Sequence, residues 1–176
     1  AFRPDHQAAR PERRDRSLAA MNPSPLLDEA ALQLDNQLCF KLYAASRAVT
    51  RAYKPMLEQL GLTYPQYLAM LVLWEWHDTP PATPTVKALG ERLLLDSGTL
   101  TPLLKRLQQL GLLLRQRASH DEREVHLCLT AAGQALRAQV LPLRAGLLCA
   151  SGASAQELEQ LREQLGALLT RLMALP

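Results

Sequence analysis

Few folds accommodate the order of segments between residues 85 and 130. TVKALGERLLL and TLTPLLKRLQQLG each carry leucines at helical spacing, and only DSG lies between them. Two short helices joined by so tight a turn, the second closed by Gly111, form a helix-turn-helix. The period then changes. LLLRQRASHDEREVHLCLT, residues 112–130, has two alternating arms around a polar tip, the pattern of a β-hairpin. A helix-turn-helix that runs directly into a charged hairpin is a winged helix.

The rest of the chain is helical, and with 5% aromatics and few β-branched residues the fold class is mainly α with a small β-wing. From Leu26 to Leu60 the pattern is helical, with Leu38, Leu42, Ala45, Val49 and Ala52 in one stripe expected to be buried. Gly61 is placed to end that segment, and YPQYLAMLVLWEWHD follows as a second helix, with Thr63 as its N-cap and Pro65 in its first turn. TPPATPT, residues 79–85, must be a loop, and Thr85 can cap the next helix. Two starts remain open for the helix-turn-helix's second helix: local rules favour Thr101–Pro102, whereas DSG points to Ser97. After the wing come AGQALRAQVLPLRAGLL and SAQELEQLREQLGALLTRLMAL, where Ser154 and Glu157 make a capping box. Leu158, Leu161, Leu165, Leu168, Leu169 and Leu172 form a seam along the last helix. A terminal helix with such a seam packs on a partner chain, or alternatively on the first helix. The expected architecture is a winged helix-turn-helix homodimer with N- and C-terminal dimerisation helices.

Residues 1–24 are expected to be a disordered arm or a vector remnant, with Met21 a possible natural start. Residues 25–176 are expected to make a single domain. Within it, residues 25–78 and 131–176 supply dimerisation and sensing helices, and 79–130 the winged helix-turn-helix.

The formal charge is +3 and residues 1–20, with five arginines and three acids, supply +2 of it. Affinity for DNA must therefore come from local placement of charge. Three cysteines without a CxxC exclude a disulfide scaffold and a conventional zinc site, so neither metal nor cofactor is expected. No apolar run reaches bilayer length, and the expected localisation is cytoplasmic, where a free thiol stays available for chemistry.

In residues 97–110, Leu100, Leu103, Leu104, Leu107 and Leu110 form the side expected to be buried, and Ser97, Thr99, Thr101, Lys105 and Gln108 lie toward the other. Short hydroxyls near a helix N-terminus can approach base edges and phosphates, while Lys105 and Arg106 add phosphate contacts that fix register. The hairpin sets Arg115, Arg117, His120 and Arg123 against Asp121, Glu122 and Glu124. Alone, such a run is a solvated face. After a helix-turn-helix it reads as a wing whose tip arginine enters a minor groove, with Asp121 positioning an arginine.

Cys39, in LDNQLCFKLYAASRAV, flanks the leucine stripe without belonging to it. A lone helical cysteine is usually a small hydrophobe. Reactivity needs a thiolate and access. If Asp35 caps a helix beginning at Asn36, Cys39 lies at the first-turn edge, where the dipole favours an anion. If the helix begins near Ser24–Pro25, hydroxyl donors must supply the stabilisation instead. Tyr43, four residues on, shares the Cys39 face.

The chain resembles the MarR family of winged-helix dimeric regulators through DSGTLTPLLKRLQQLGLL, DEREVHLCLTAAG and the helix order. Through LDNQLCFKLYAASR, YKPMLEQLGLTYPQYLAMLVLWE and VKALGERLLLDSGTLTPLLKRL it resembles the organic hydroperoxide-sensing OhrR group in particular, over roughly residues 32–140. The resemblance implies that Cys39 is a peroxide-sensing cysteine and that Tyr53 and Tyr64 bond its thiolate, with Tyr43 a nearby third. It implies for Cys149 the role of resolving cysteine in a disulfide between protomers. Asp96, Ser97 and Thr99 fall at the start of the recognition helix, and Arg115 and Arg123 on the wing. The implied function is a repressor that leaves a pseudo-palindromic operator in double-stranded DNA when an organic hydroperoxide oxidises Cys39. Release by a small aromatic ligand is one alternative. A thiol peroxidase is another, disfavoured because an enzyme has no use for the winged helix. Two features depart from the pattern: HDTPPATPT is longer than the usual connection, and the N-terminal arm is additional. Cys128, on the wing strand, has no family role and reads as a partly exposed bystander.

Overall fold

The computed structural model describes residues 29–117, 124–150 and 152–175, excluding the side chains of 145–150. The N-terminal arm assigned to residues 1–24 lies outside them. The chain separates into two compact units, one ending at Ser46 and the other beginning at Arg47. Its helices are α1 (Leu38–Leu60), α2 (Tyr64–Asp78), α3 (Val86–Leu93), α4 (Ser97–Gln109), α5 (Ala131–Ala150) and α6 (Ala155–Met173), with β1 (Leu113–Arg117) and β2 (Val125–Leu129) between α4 and α5.

In the first unit, short 3-10 turns at Glu29–Leu32 and Leu34–Asn36 precede α1. The helical pattern read from Leu26 is thus not one helix. The Asn36 side-chain amide donates to the Ala30 carbonyl at 2.8 Å, and the Gln37 amide to that of Ala31. Side chains thereby take carbonyls that a continuous α-helix would use, and Gln37 turns extended before α1 begins. The stripe expected to be buried is also corrected. Leu38 is 59% and Val49 46% exposed, Ala45 and Ala52 are exposed, and Leu42 is half-buried. Periodicity marks an apolar face without saying which surface covers it, and in one chain this face stays accessible.

The second unit holds the core. Gly61 adopts φ +66°, and Leu62 donates to the Leu57 carbonyl at 3.0 Å, closing α1 with a six-to-one bond. Gly111 ends α4 in the same way, at φ +70° and with Leu112 donating to Leu107 at 3.1 Å. Thr63 and Gln66 open α2, the Thr63 amide donating to the Gln66 side chain at 2.9 Å. Tyr67, Met70, Leu73 and Trp74 from α2 meet Leu89, Leu100, Leu104 and Leu107 of the helix-turn-helix in one buried cluster. The Trp74 indole reaches further and donates to the Gly133 carbonyl at 2.8 Å, tying α2 to α5.

The α4 conflict resolves in favour of Ser97. Asp96 is the N-cap, accepting from the Thr99 amide at 2.9 Å, and Pro102 is carried inside the helix. Strands β1 and β2 pair antiparallel from Leu113 opposite Leu129 to Arg117 opposite Val125. The proline loop adds an edge to this hairpin: Thr85 bridges His126, and Leu127 donates to the Pro84 carbonyl at 2.8 Å. Thr130 joins wing to α5, its hydroxyl donating to the Gly111 carbonyl at 2.6 Å and accepting from the Gly133 amide at 3.0 Å.

Candidate functional site

The apolar periodicity of α4 sorts its residues onto two sides. Leu100, Leu103, Leu104 and Leu107 are buried, Leu110 is half-buried, and Ser97, Thr99, Thr101, Lys105 and Arg106 are exposed. Ser97, Thr101 and Lys105 follow one another at spacings of four, with Gln108 three further on, so they share one solvent-facing row. The Thr99 hydroxyl donates to the Asp96 carboxylate at 3.0 Å and that of Thr101 to the Ser97 carbonyl at 2.8 Å. Both oxygens keep lone pairs able to accept from base amino groups. The Asp96 carboxylate is engaged as the cap. The bonds from the Thr99 amide and then its hydroxyl hold its carboxyl below the usual range.

On the wing, Arg115 and Arg117 are exposed, and the Arg115 Nε donates to the Gln108 side-chain oxygen at 2.7 Å. The tip residues expected to matter, Asp121 and Arg123, lie outside the described residues, as does His120. Cys128 is half-buried opposite Leu114.

Cys39 is exposed and is the second residue of α1. It therefore sits in the first turn, although Asp35 is not the cap; its carboxylate, in the preceding 3-10 turn, pairs with Lys41 at 3.2 Å. Tyr43 lies one turn on, also exposed. In the second unit Tyr53 and Tyr64 meet edge to face with ring centroids 5.5 Å apart. A third ring, unmarked in the sequence reading, completes the cluster: Tyr67 lies 5.7 Å from Tyr53 and 6.4 Å from Tyr64. The i, i+3 spacing of YPQY was the signal for it. Burial, then the neighbouring Tyr53, pushes the Tyr64 hydroxyl upward; the same two causes lead for Tyr67. Both thus remain O–H donors at neutral pH. Cys149 lies in the last turn of α5, its side chain outside the described residues.

A recognition helix with exposed hydroxyls and cations, continued by a wing strand that exposes Arg115 and Arg117, defines a winged-helix DNA-binding regulator. Comparison with known proteins agrees. Residues 51–140 match the family described as transcriptional regulator SarA/Rot. The organic hydroperoxide resistance transcriptional regulator of Bacillus subtilis is 50% identical over 141 residues, 80% of this chain and 92% of that protein. The regulator MgrA of Staphylococcus aureus is 38% identical over 77% of this chain and 90% of its own. AbfR of Staphylococcus epidermidis superposes with a TM-score of 0.67 at 36% identity, over 82% of this chain and 96% of that one. AbfR is also known reduced and bound to DNA, overoxidized and bound to DNA, and in a disulfide form. The chain belongs to the MarR/SarA family of winged-helix transcriptional regulators and is OhrR-like within it. Among the described residues no helix is long and apolar enough to cross a membrane.

Proposed function

We propose that this regulator is a cytoplasmic redox-sensing repressor whose homodimer holds a pseudo-palindromic operator and releases it when organic hydroperoxide oxidises Cys39. The observation that carries this reading is an exposed cysteine in the first turn of α1, in a chain half identical to an organic hydroperoxide resistance regulator. Residues 25–78 and 131–176 then serve as dimerisation and sensing helices, and 79–130 as the DNA-reading unit, the whole forming one domain. Tyr53 and Tyr64, with Tyr43, serve as hydroxyl hydrogen-bond donors to the thiolate and so favour its charged form. Ser97, Thr99 and Thr101 approach the major groove with Asp96 holding the helix start. Lys105, Arg106, Arg115 and Arg117 meet phosphates, and Arg123, positioned by Asp121, enters the minor groove.

The chemistry balances in two steps. The Cys39 thiolate attacks the terminal oxygen of the hydroperoxide; the O–O bond breaks, the alkoxide leaves and takes a proton as alcohol, and the sulfur becomes sulfenic acid. The thiol of Cys149 of the partner subunit attacks that sulfur, the S–O bond breaks, and water leaves. A disulfide requires α-carbons within about 7 Å, so its formation pulls helices of two protomers together and moves the wings from half-site spacing.

The test uses a duplex selected from random DNA by the reduced protein. Cumene hydroperoxide should release the parent and leave Cys39→Ser bound. Equal release of both would end the thiol-sensor reading. Non-reducing gels should show a covalent dimer that Cys149→Ser abolishes; a dimer that survives redirects the bridge to Cys128. A second reading, release by a small aromatic ligand, is favoured by a cavity of about 580 Å³ between α3, α4 and the wing, which Leu100, Leu104 and Arg115 help to line. It predicts release of Cys39→Ser by such a ligand without any oxidant.

A further inference from the structure

Among the described residues the recognition helix and the wing meet at one side-chain bond, and that bond borders a cationic notch. Arg115 and Arg117 alternate with Gln116 along β1 and so share the face of Leu113, which is fully buried nearer the core. Between this outer half of the strand and the last turn of α4 lies a cavity of about 310 Å³, lined by Gln108, Arg115, Arg117 and Val125. Two guanidinium groups therefore face one small space, and no carboxylate is among its described lining residues. Glu124, the adjacent acid, lies 3.6 Å from His126 Nε2 and lines, together with Arg115, the cavity between α3, α4 and the wing rather than the notch.

The chemistry of the Arg115 bond bears on what the notch takes. With Nε committed to Gln108 at 2.7 Å, the terminal Nη1 and Nη2 groups, which make no hydrogen bond among the described residues, form two parallel donors, the arrangement that matches two oxygens of a phosphate. A wing arginine exposed on a strand otherwise samples many rotamers and must be immobilised on binding. Gln108 stands at the end of the exposed row formed by Ser97, Thr101 and Lys105, so the notch continues the same surface by which α4 faces outward.

We propose that this notch holds one backbone phosphate of the bound duplex, and that Gln108 is a positioning residue that fixes Arg115 for it. The inference rests on the DNA-reading role of α4 and the wing, and not on the redox chemistry of Cys39. Gln108 then contributes no sequence information itself; it sets the register between the helix in the groove and the wing on the backbone.

The experiment measures binding of the reduced full-length protein to its selected duplex between 50 and 200 mM KCl. Each phosphate contact adds about 0.9 to the slope of log K against log salt. Arg115→Ala should lower the slope by about 0.9 per subunit, hence about 1.8 for a dimer using both wings. Gln108→Ala should lower it toward the same value, and the double variant should bind no more weakly than Arg115→Ala alone. Gln108→Glu keeps the acceptor but places a negative charge at the notch, and should bind more weakly than Gln108→Ala. A wild-type slope in Gln108→Ala with a reduced slope in Arg115→Ala would overturn the positioning role, as would fully additive losses in the double variant. A wild-type slope in Arg115→Ala would remove the phosphate from the notch. Selection that enriches no duplex at all would instead break the DNA-reading assignment.

Discussion

Asp96 and Glu157 each close a helix start by accepting from a backbone amide and a hydroxyl, Asp96 from Thr99 and Glu157 from Ser154. These bonds hold both carboxyls below their ordinary values, the backbone bond being the larger cause in each. A depressed value in the folded state means that the stabilisation is complete above the unfolded carboxyl's range and disappears as pH falls through the folded one. Asp96→Asn and Glu157→Gln should therefore each flatten the acid limb of stability against pH, measured as denaturant midpoints from neutral to acidic buffer. Leu94 also adopts an unusual local conformation. It ends α3 at φ 56°, in the left-handed region, with its side chain 56% exposed. That conformation costs an L-residue about 1–2 kcal/mol, and glycine gives back about 0.5–1 kcal/mol as unfolded-chain entropy. Leu94→Gly should thus raise stability by up to about 1 kcal/mol, read from the unfolding midpoint.

At the level of elements, α2 carries the connections. Its start holds Tyr64 and Tyr67, while near its end Trp74 bonds Gly133, Glu75 pairs with Arg92 at 3.1 Å, and Asp78 pairs with Arg137 at 2.7 Å. Trp74→Phe leaves the buried Gly133 carbonyl without its indole donor and should cost about 1–3 kcal/mol in urea unfolding. Gly133 has its own constraint, since a Cβ there would strike the Leu112 carbonyl. The element order, Gly61, Gly111, the Thr63 and Thr85 caps, and the Ser154–Glu157 box were all readable in the sequence because each depends on neighbours within a turn or two. The start of α4 was ambiguous because Pro102 and Asp96 give opposing local signals, and only the assembled helix shows that the cap prevails. The break before α1 depended on Asn36 and Gln37 reaching back six residues, which no periodicity records.

For the whole molecule, the apolar faces of α1 and α6 have the same status. Leu161, Leu165, Leu169 and Leu172 are 40–51% exposed, and α6 buries no residue within the chain. An apolar seam of that extent is the surface that the proposed homodimer would cover. Leu165→Asp, with its charge on the seam, should shift sedimentation velocity from dimer to monomer and weaken binding to a two-half-site duplex. A dimer that persists unchanged would assign the seam to another partner.

Short-range physics encodes helical period, alternating strands, caps and glycine stops, and with them the winged helix and its solvent-facing hydroxyls and cations. The residue pattern also marks Cys39, whose position against the leucine stripe needs only a helix to define. Which residues from separate elements meet depends instead on tertiary packing. Tyr67 joins Tyr53 and Tyr64, Trp74 reaches Gly133, Thr85 pairs with His126, and Gln108 takes hold of Arg115. Apart from Tyr64 and Tyr67, these pairs are too far apart for local periodicity, and close approach in each depends on how separate elements pack.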